Sequence, residues 1–314
     1  MFDPNDFPKP AMISVNGVNL EVFEAGKENT GNPIVLCHGW PDHAFSWRYQ
    51  IPALAAAGYH VIAPNQRGYG HSSRPKDVAA YDIEQLTGDL VSLLDQFGYR
   101  NAIFVGHDWG ANVVWNLALF HPDRVSKLVA LALPYQERGE IPWIDFIESL
   151  FGSEHYMVHF NRRPGDADAI LDENRTQFLR NLYRKNEPAK APEPGMYMIN
   201  LAKAKTSTGD PLMSDVELSV LDSAFKFTGF TSSINWYRNI DRNWRLLADV
   251  NPIIKHPALM VYGDRDMIPK SQNLSDFVPN VEVVDLDAGH WMQQEKPVET
   301  TKTILDWLNR KSVA

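Results

Sequence analysis

The sequence predicts an α/β fold, a mostly parallel, doubly wound sheet carrying an inserted helical cap, and three observations point to it. Short, almost wholly apolar runs recur along the chain, helical periodicities separate them, and the alternation stops between about residues 135 and 245. Residues 1–134 and 246–314 are therefore the predicted core, and 135–245 the predicted cap or lid. A chain of 314 residues has room for one large domain with such an insertion.

The first element is a hairpin. "MISVNGVNLEVFEAG" alternates apolar and polar residues about Asn16-Gly17, a two-residue turn signal. Strands follow at "PIVLC" (33–37), "HVIAP" (60–64), "AIFVG" (102–106), "KLVALAL" (127–133), "PALMVYG" (257–263) and "VEVVDL" (281–286). Runs of this kind are expected to be buried on both faces of a parallel sheet. Between them, Ile83, Leu86, Leu90, Leu93, Leu94 and Phe97 recur at helical spacing, and Gly98 stands where the helix would be capped. A second helix, "ANVVWNLALFHP" (111–122), stops at Pro122, and a last one, "ETTKTILDWLNRK", offers Ile304, Leu305, Trp307 and Leu308 to the sheet. The insertion holds helical patches ("WIDFIESLF", "TQFLRNLYRK", "SVLDSAFKF") and a proline-rich loop, "EPAKAPEPG". Ligands of such sheets bind at the carboxyl ends of the strands, so the insertion is expected to sit over that edge.

Composition is that of an ordinary globular protein, 44% apolar and 22% charged. A net charge of −9 argues against a nucleic-acid partner, which needs a basic surface. Cys37 is the sole cysteine, so an internal disulfide and a cysteine-held zinc are both excluded. The opening "MFDPNDFPKPAM" has neither a basic region nor an apolar stretch, and no apolar run approaches membrane-spanning length. The expected compartment is the cytoplasm; composition leaves monomer and homodimer equally open.

The chemistry starts at "VGHDWGANVVW" (105–115). Apolar residues lead into Gly-His-Asp-Trp-Gly and a helix follows, the layout of a nucleophile elbow with Asp108 in place of serine. Small flanking residues, Gly106 and Gly110, relieve clashes in so sharp a turn, and the helix N-terminus behind it favours negative charge. Taken alone, the motif could equally be a helix-capping aspartate. Downstream context decides: "YGDRDMIP" places Asp266 after one strand, with Asp264 as a competing acid, and "DAGHWMQQEKP" places His290 after the next. Nucleophile, acid and histidine then follow the order of the α/β-hydrolase fold. The turn His38-Gly39-Trp40-Pro41 can aim the Trp40 N–H at the nucleophile, which with the Trp109 N–H would make a two-donor oxyanion hole.

The segments "HGWPDHAFSWRYQIPALAAAGYHVIAPNQRGYGHSS", "GHDWGANVVW", "NWYRNIDRNW" and "AGHWMQQEKP" together resemble the soluble epoxide hydrolases, from about residue 10 to 310 and least in the middle of the cap. The resemblance implies Asp108 as nucleophile, Asp266 and His290 as relay acid and base, and a cis peptide between Trp40 and Pro41. It also implies two cap tyrosines over the nucleophile. Tyr237 matches within Asn235-Trp236-Tyr237-Arg238-Asn239, and Tyr156 matches by its place before Pro164-Gly165, with Tyr135, Tyr183 and Tyr197 as alternatives. Its implied ligand is a small hydrophobic epoxide, detoxification is one role open to it, and no metal or organic cofactor is called for. Aspartate suits this chemistry, because carboxylate attack on a strained ether leaves an ester that water can cleave, whereas serine would leave a stable ether.

Four rivals share parts of the pattern. A haloalkane dehalogenase also uses an aspartate nucleophile, and Trp109 could hold its departing halide, but such enzymes commonly have asparagine where Trp40 stands and need no tyrosine acid. A fluoroacetate-type enzyme would follow the nucleophile with arginine, not Trp109. An esterase would need serine in the elbow. A non-catalytic binding member of the fold would be expected to have lost a triad residue, and all three positions are filled.

Overall fold

The computed structural model describes residues 2–185, 197–206 and 208–310; the predicted loop at 187–195 lies outside them. Eight strands among the described residues form one sheet: β1 Pro10–Val15, β2 Val18–Ala25, β3 Ile34–Cys37, β4 Val61–Asn65, β5 Ala102–His107, β6 Val125–Leu131, β7 Ala258–Gly263 and β8 Val281–Leu286. Their order is β1-β2-β4-β3-β5-β6-β7-β8. The β1–β2 and β2–β4 pairs are antiparallel and the rest parallel. The β1–β2 hairpin turns at Asn16 (φ 41°) and Gly17 (φ 76°), the two positive φ angles that a type I′ turn needs.

Why the central strands read as continuous apolar runs is visible in the core. Successive side chains of a strand point to opposite faces, and both faces are covered. Ile34, Leu36, Val61, Ala63, Ile103 and Val105 pack with Ile304 and Trp307 of the helix Pro297–Asn309. Their neighbours Val35, Cys37, Ile62 and Phe104 pack on the other face, with the helices Ile83–Gln96 and Trp109–Phe120. That second cluster continues without a break into Phe160, Phe178, Phe230 and Trp236 of the insertion, so cap and sheet share one apolar core.

β8 departs from the expectation. It is an edge strand paired only with β7, its residues are at most half-buried, and Val283 is 53% exposed. Hydrophobicity alone did not distinguish an edge from the centre.

Between β6 and β7 the described residues fold into helices, running from Trp143–Phe151 to Ile240–Leu246. Buried polar contacts seat them on the core. Arg48 Nε donates to Glu217 Oε1 at 2.9 Å, Trp236 Nε1 to the Arg67 carbonyl at 3.0 Å, and Ser232 Oγ to the Gly68 carbonyl at 2.7 Å. No described helix is long and apolar enough to cross a membrane.

Candidate active site

Asp108 joins β5 directly to the helix Trp109–Phe120, with φ 53° and ψ −122°, a backbone state that L-residues rarely adopt. Close packing makes the turn possible. A Cβ on Gly110 would lie 2.0 Å from the Cys37 carbonyl oxygen, and one on Gly106 would lie 2.3 Å from that of Gly110. Gly39 serves the opposite wall, where a Cβ would meet the Asp108 Cβ at 2.5 Å. The chain after β3 thereby lies against the nucleophile position, through a cis Trp40–Pro41 peptide.

Asp108 Oδ1 accepts the Trp40 N–H at 2.9 Å. Burial raises the carboxyl above its ordinary pKa, and His290 with the N–H groups of Trp40 and Trp109 offsets part of that rise. His290 spans the gap to Asp266: its Nδ1 lies 3.0 Å from Asp266 Oδ2 and its Nε2 3.6 Å from Asp108 Oδ2. Burial disfavours charge on the imidazole, yet Asp266 and then Asp108 outweigh it and bring the pKa up to about 9. Asp266 is buried; Asp264 is exposed and pairs with Lys270 at 3.1 Å. Asp108, Asp266 and His290 are thus brought together, and Asp264 is not.

The two loops carrying Asp266 and His290 are tied to each other. Glu295 accepts the Gly289 N–H at 2.8 Å and also pairs with Arg265, which contacts Asp287. His107 Nε2 donates to the His290 carbonyl oxygen at 2.8 Å.

Tyr156 opens the helix Tyr156–Arg162, and Tyr237 lies near the end of Thr231–Arg238. Their ring centroids are 5.8 Å apart. Tyr237 stands edge-on to Trp109 at 5.0 Å and Trp40 at 5.4 Å, the two residues whose N–H groups face Asp108. Burial and the charge of Asp108 push Tyr156 above the ordinary phenol value; burial, Tyr156 and Asp108 do the same for Tyr237. Both phenols therefore keep their protons and can donate them. The alternatives Tyr135 and Tyr183 are engaged otherwise. Tyr135 packs against Trp115 and Phe277, and Tyr183 donates to the Pro41 carbonyl at 3.0 Å. Tyr197 begins the helix Tyr197–Lys203, but its side chain is outside the described residues.

Three neighbours were not singled out from sequence. Asp42 accepts the His43 N–H at 2.8 Å and Gln294 Nε2 at 3.1 Å, and burial pushes its carboxyl up to about 6. Its charge also favours protonated His290. An acid placed directly after the His38–Pro41 turn was the available signal. Tyr69 is fully buried near the charge of Asp108, its hydroxyl without a partner among the described residues. His107 precedes the nucleophile position inside the elbow itself. Nothing in the sequence separates either from core packing.

A family model for the alpha/beta hydrolase fold matches residues 32–297. Epoxide hydrolase A of Mycobacterium tuberculosis is 42% identical over 96% of this chain and 97% of its own length. Bifunctional epoxide hydrolase 2 of Mus musculus is 35% identical over 98% of this chain, which spans only 56% of that protein. The crystal structure of epoxide hydrolase A from Mycobacterium thermoresistibile superposes with a TM-score of 0.87 at 39% identity, covering 96% of this chain and 98% of that one. The chain belongs to the alpha/beta hydrolase fold family and, within it, to the epoxide hydrolases.

Proposed function

We propose that the enzyme converts a small hydrophobic epoxide to a vicinal diol through a covalent ester on Asp108. One observation carries the reading: a single buried carboxylate has the His290 Nε2 within 3.6 Å and lies within the electrostatic reach of two protonated phenols.

In the first step Asp108 attacks a ring carbon, the carbon–oxygen bond breaks, and Tyr156 or Tyr237 donates a proton to the departing oxygen. An alkoxide is too basic to leave without that proton. The ester so formed carries no charge. His290 then loses one of the two carboxylates that hold it protonated, and its pKa falls. Its proton returns to the tyrosinate, and the neutral imidazole becomes a base when the ester needs one. In the second step His290, oriented by Asp266, takes a proton from water. The hydroxide attacks the carbonyl carbon of the ester, and the oxyanion sits between the Trp40 and Trp109 N–H groups. Collapse releases the diol, which takes its proton from His290; the Asp108 carboxylic acid left behind then gives its own proton to the imidazole, which restores the ionised Asp108 and the protonated His290. Each oxyanion donor contributes about 3 kcal/mol to such a step.

The dehalogenase reading lacks this support. Trp109, the indole that could hold a halide, stands edge-on to Tyr237 at 5.0 Å, and a departing halide needs neither that phenol nor Tyr156 as an acid. The net charge of −9 argues against a nucleic-acid partner, and a chain with a single cysteine suits the reducing cytoplasm. Single turnover in heavy-oxygen water is the test: the first diol should carry an oxygen from Asp108, and H290A should accumulate the ester. If H290A yields no adduct by mass spectrometry, water attacks directly and the scheme fails.

A further inference from the structure

One side chain reaches both phenol-bearing helices. Asn161, on the helix Tyr156–Arg162, donates through Nδ2 to the Met157 carbonyl oxygen at 2.9 Å and to the Tyr237 carbonyl oxygen at 2.9 Å. A primary amide has two N–H donors, so both are committed. One goes to the residue after Tyr156, the other to Tyr237 itself. The Tyr237 carbonyl is among the last four of its helix; the Asn239 N–H caps it locally, and Asn161 reaches it from the neighbouring helix across the seam. Farther along, Arg238 Nε donates to the Phe160 carbonyl at 3.1 Å and Nη2 to Asp168 Oδ2 at 2.5 Å, so the far side of the seam is pinned separately.

We infer that Asn161 is a positioning residue for ring opening: by joining the carbonyls of Met157, next to Tyr156, and of Tyr237 through one amide, it sets where the two hydroxyls converge on the epoxide oxygen. This rests on the two-step reading above. A tyrosine side chain has two rotatable bonds, and the packing of both rings against Phe160 and each other restricts them, so a shift of the backbone moves the hydroxyl. The oxygen's position in turn fixes which ring carbon faces the Asp108 carboxylate. Asn161 therefore governs both the rate of the first step and the choice of carbon, while ester hydrolysis, which uses His290, Asp266 and the oxyanion N–H groups, does not depend on it. A misplacement of about 1 Å in such a constellation costs on the order of 100-fold in rate.

The test separates the two steps with racemic styrene oxide as probe. N161L removes both donors and keeps much of the side-chain volume; N161A removes them where no larger side chain has to fit. Rapid quench with intact-protein mass gives the rates of ester formation and decay. Multiple turnover in heavy-oxygen water shows which diol carbon was attacked. In both variants ester formation should slow by at least about 10-fold, ester decay should stay within about 2-fold, and the ratio of attacked carbons should change. Ester formation and carbon ratio unchanged from the native enzyme would overturn the role of Asn161, as would equal slowing of both steps, which marks general loss of packing. No ester in the native enzyme would instead overturn the covalent reading on which the inference stands.

Discussion

His290 lies between two carboxylates that act on it at different times. In the resting site both raise its pKa, with Asp266 the larger influence and Asp108 the next. Removing either charge must lower the value from about 9, and D266N should lower it further than D108N. Titration of the His290 ring by NMR in the two variants checks this; equal values in variants and native enzyme would refute it. The pH dependences of the two steps differ in kind. In the proposed scheme ring opening needs ionised Asp108, so its rate should fall as pH drops through a carboxyl pKa that burial has raised. Ester decay needs neutral His290 and should fall as pH drops through the imidazole pKa of the ester form, lower than about 9 because Asp108 is then uncharged. Rapid-quench rates measured across pH separate them. At this scale the sequence was informative where spacing constrains chemistry. Asp266 and His290 stood in loops after consecutive strands, and the structure brings them within 3.0 Å. Asp42 was only partly legible: its place directly after the His38–Pro41 turn was a signal, but its importance comes from Gln294, 252 residues away, and from full burial.

The elbow and the two phenol helices carry the arguments at the scale of elements. G110A should destabilise the protein by about 3 kcal/mol, since a Cβ there would lie 2.0 Å from the Cys37 carbonyl oxygen and backbone must move to admit it. Urea denaturation measures it, and a loss under about 1 kcal/mol would show that the β3–elbow contact can relax. Y237F and Y156F should each slow ester formation by about 10- to 100-fold and leave ester decay nearly unchanged. Rates alike in Y237F and native enzyme would remove that phenol from the first step. Elements were legible because period 2 and period 3.6 are local properties. The Ile83–Gln96 helix follows its leucine spacing, and Gly98 takes φ 72° just beyond it. β8 was misread for the complementary reason: V-E-V-V-D-L describes a strand, but not whether a second strand lies beside it.

The whole molecule depends on how the cap is held to the sheet, and this was least visible in the sequence, since each tie joins residues far apart. One of them is ionic and buried. Arg48, in the segment after the His38–Pro41 turn, is fully buried; its Nε donates to Glu217 at the start of the cap helix Asp215–Thr228, and its Nη1 donates at 2.8 Å to Gln294, four residues past His290. One guanidinium thus joins cap, nucleophile wall and histidine segment. A buried charge left without its partner costs about 3–5 kcal/mol, whereas losing both partners costs less. R48M and E217Q should therefore each destabilise by about that much, and the double variant by clearly less than their sum, in urea denaturation at pH 7. Additive losses would mean that the two groups are held independently. The acid side gives a second reading. Burial pushes the Glu217 carboxyl up, but the Ser214 N–H and Arg48 outweigh it and hold it below the ordinary glutamate value. A depressed pKa gives stability that is complete above the unfolded value of about 4.3 and is lost as pH falls through the folded one. The gap between native enzyme and E217Q should close over that acid range. Because the cap and one face of the sheet share a single apolar cluster, the loss should appear as one cooperative transition. A cap that melts first in E217Q would mean that Arg48 and Glu217, and not the shared core, hold it in place.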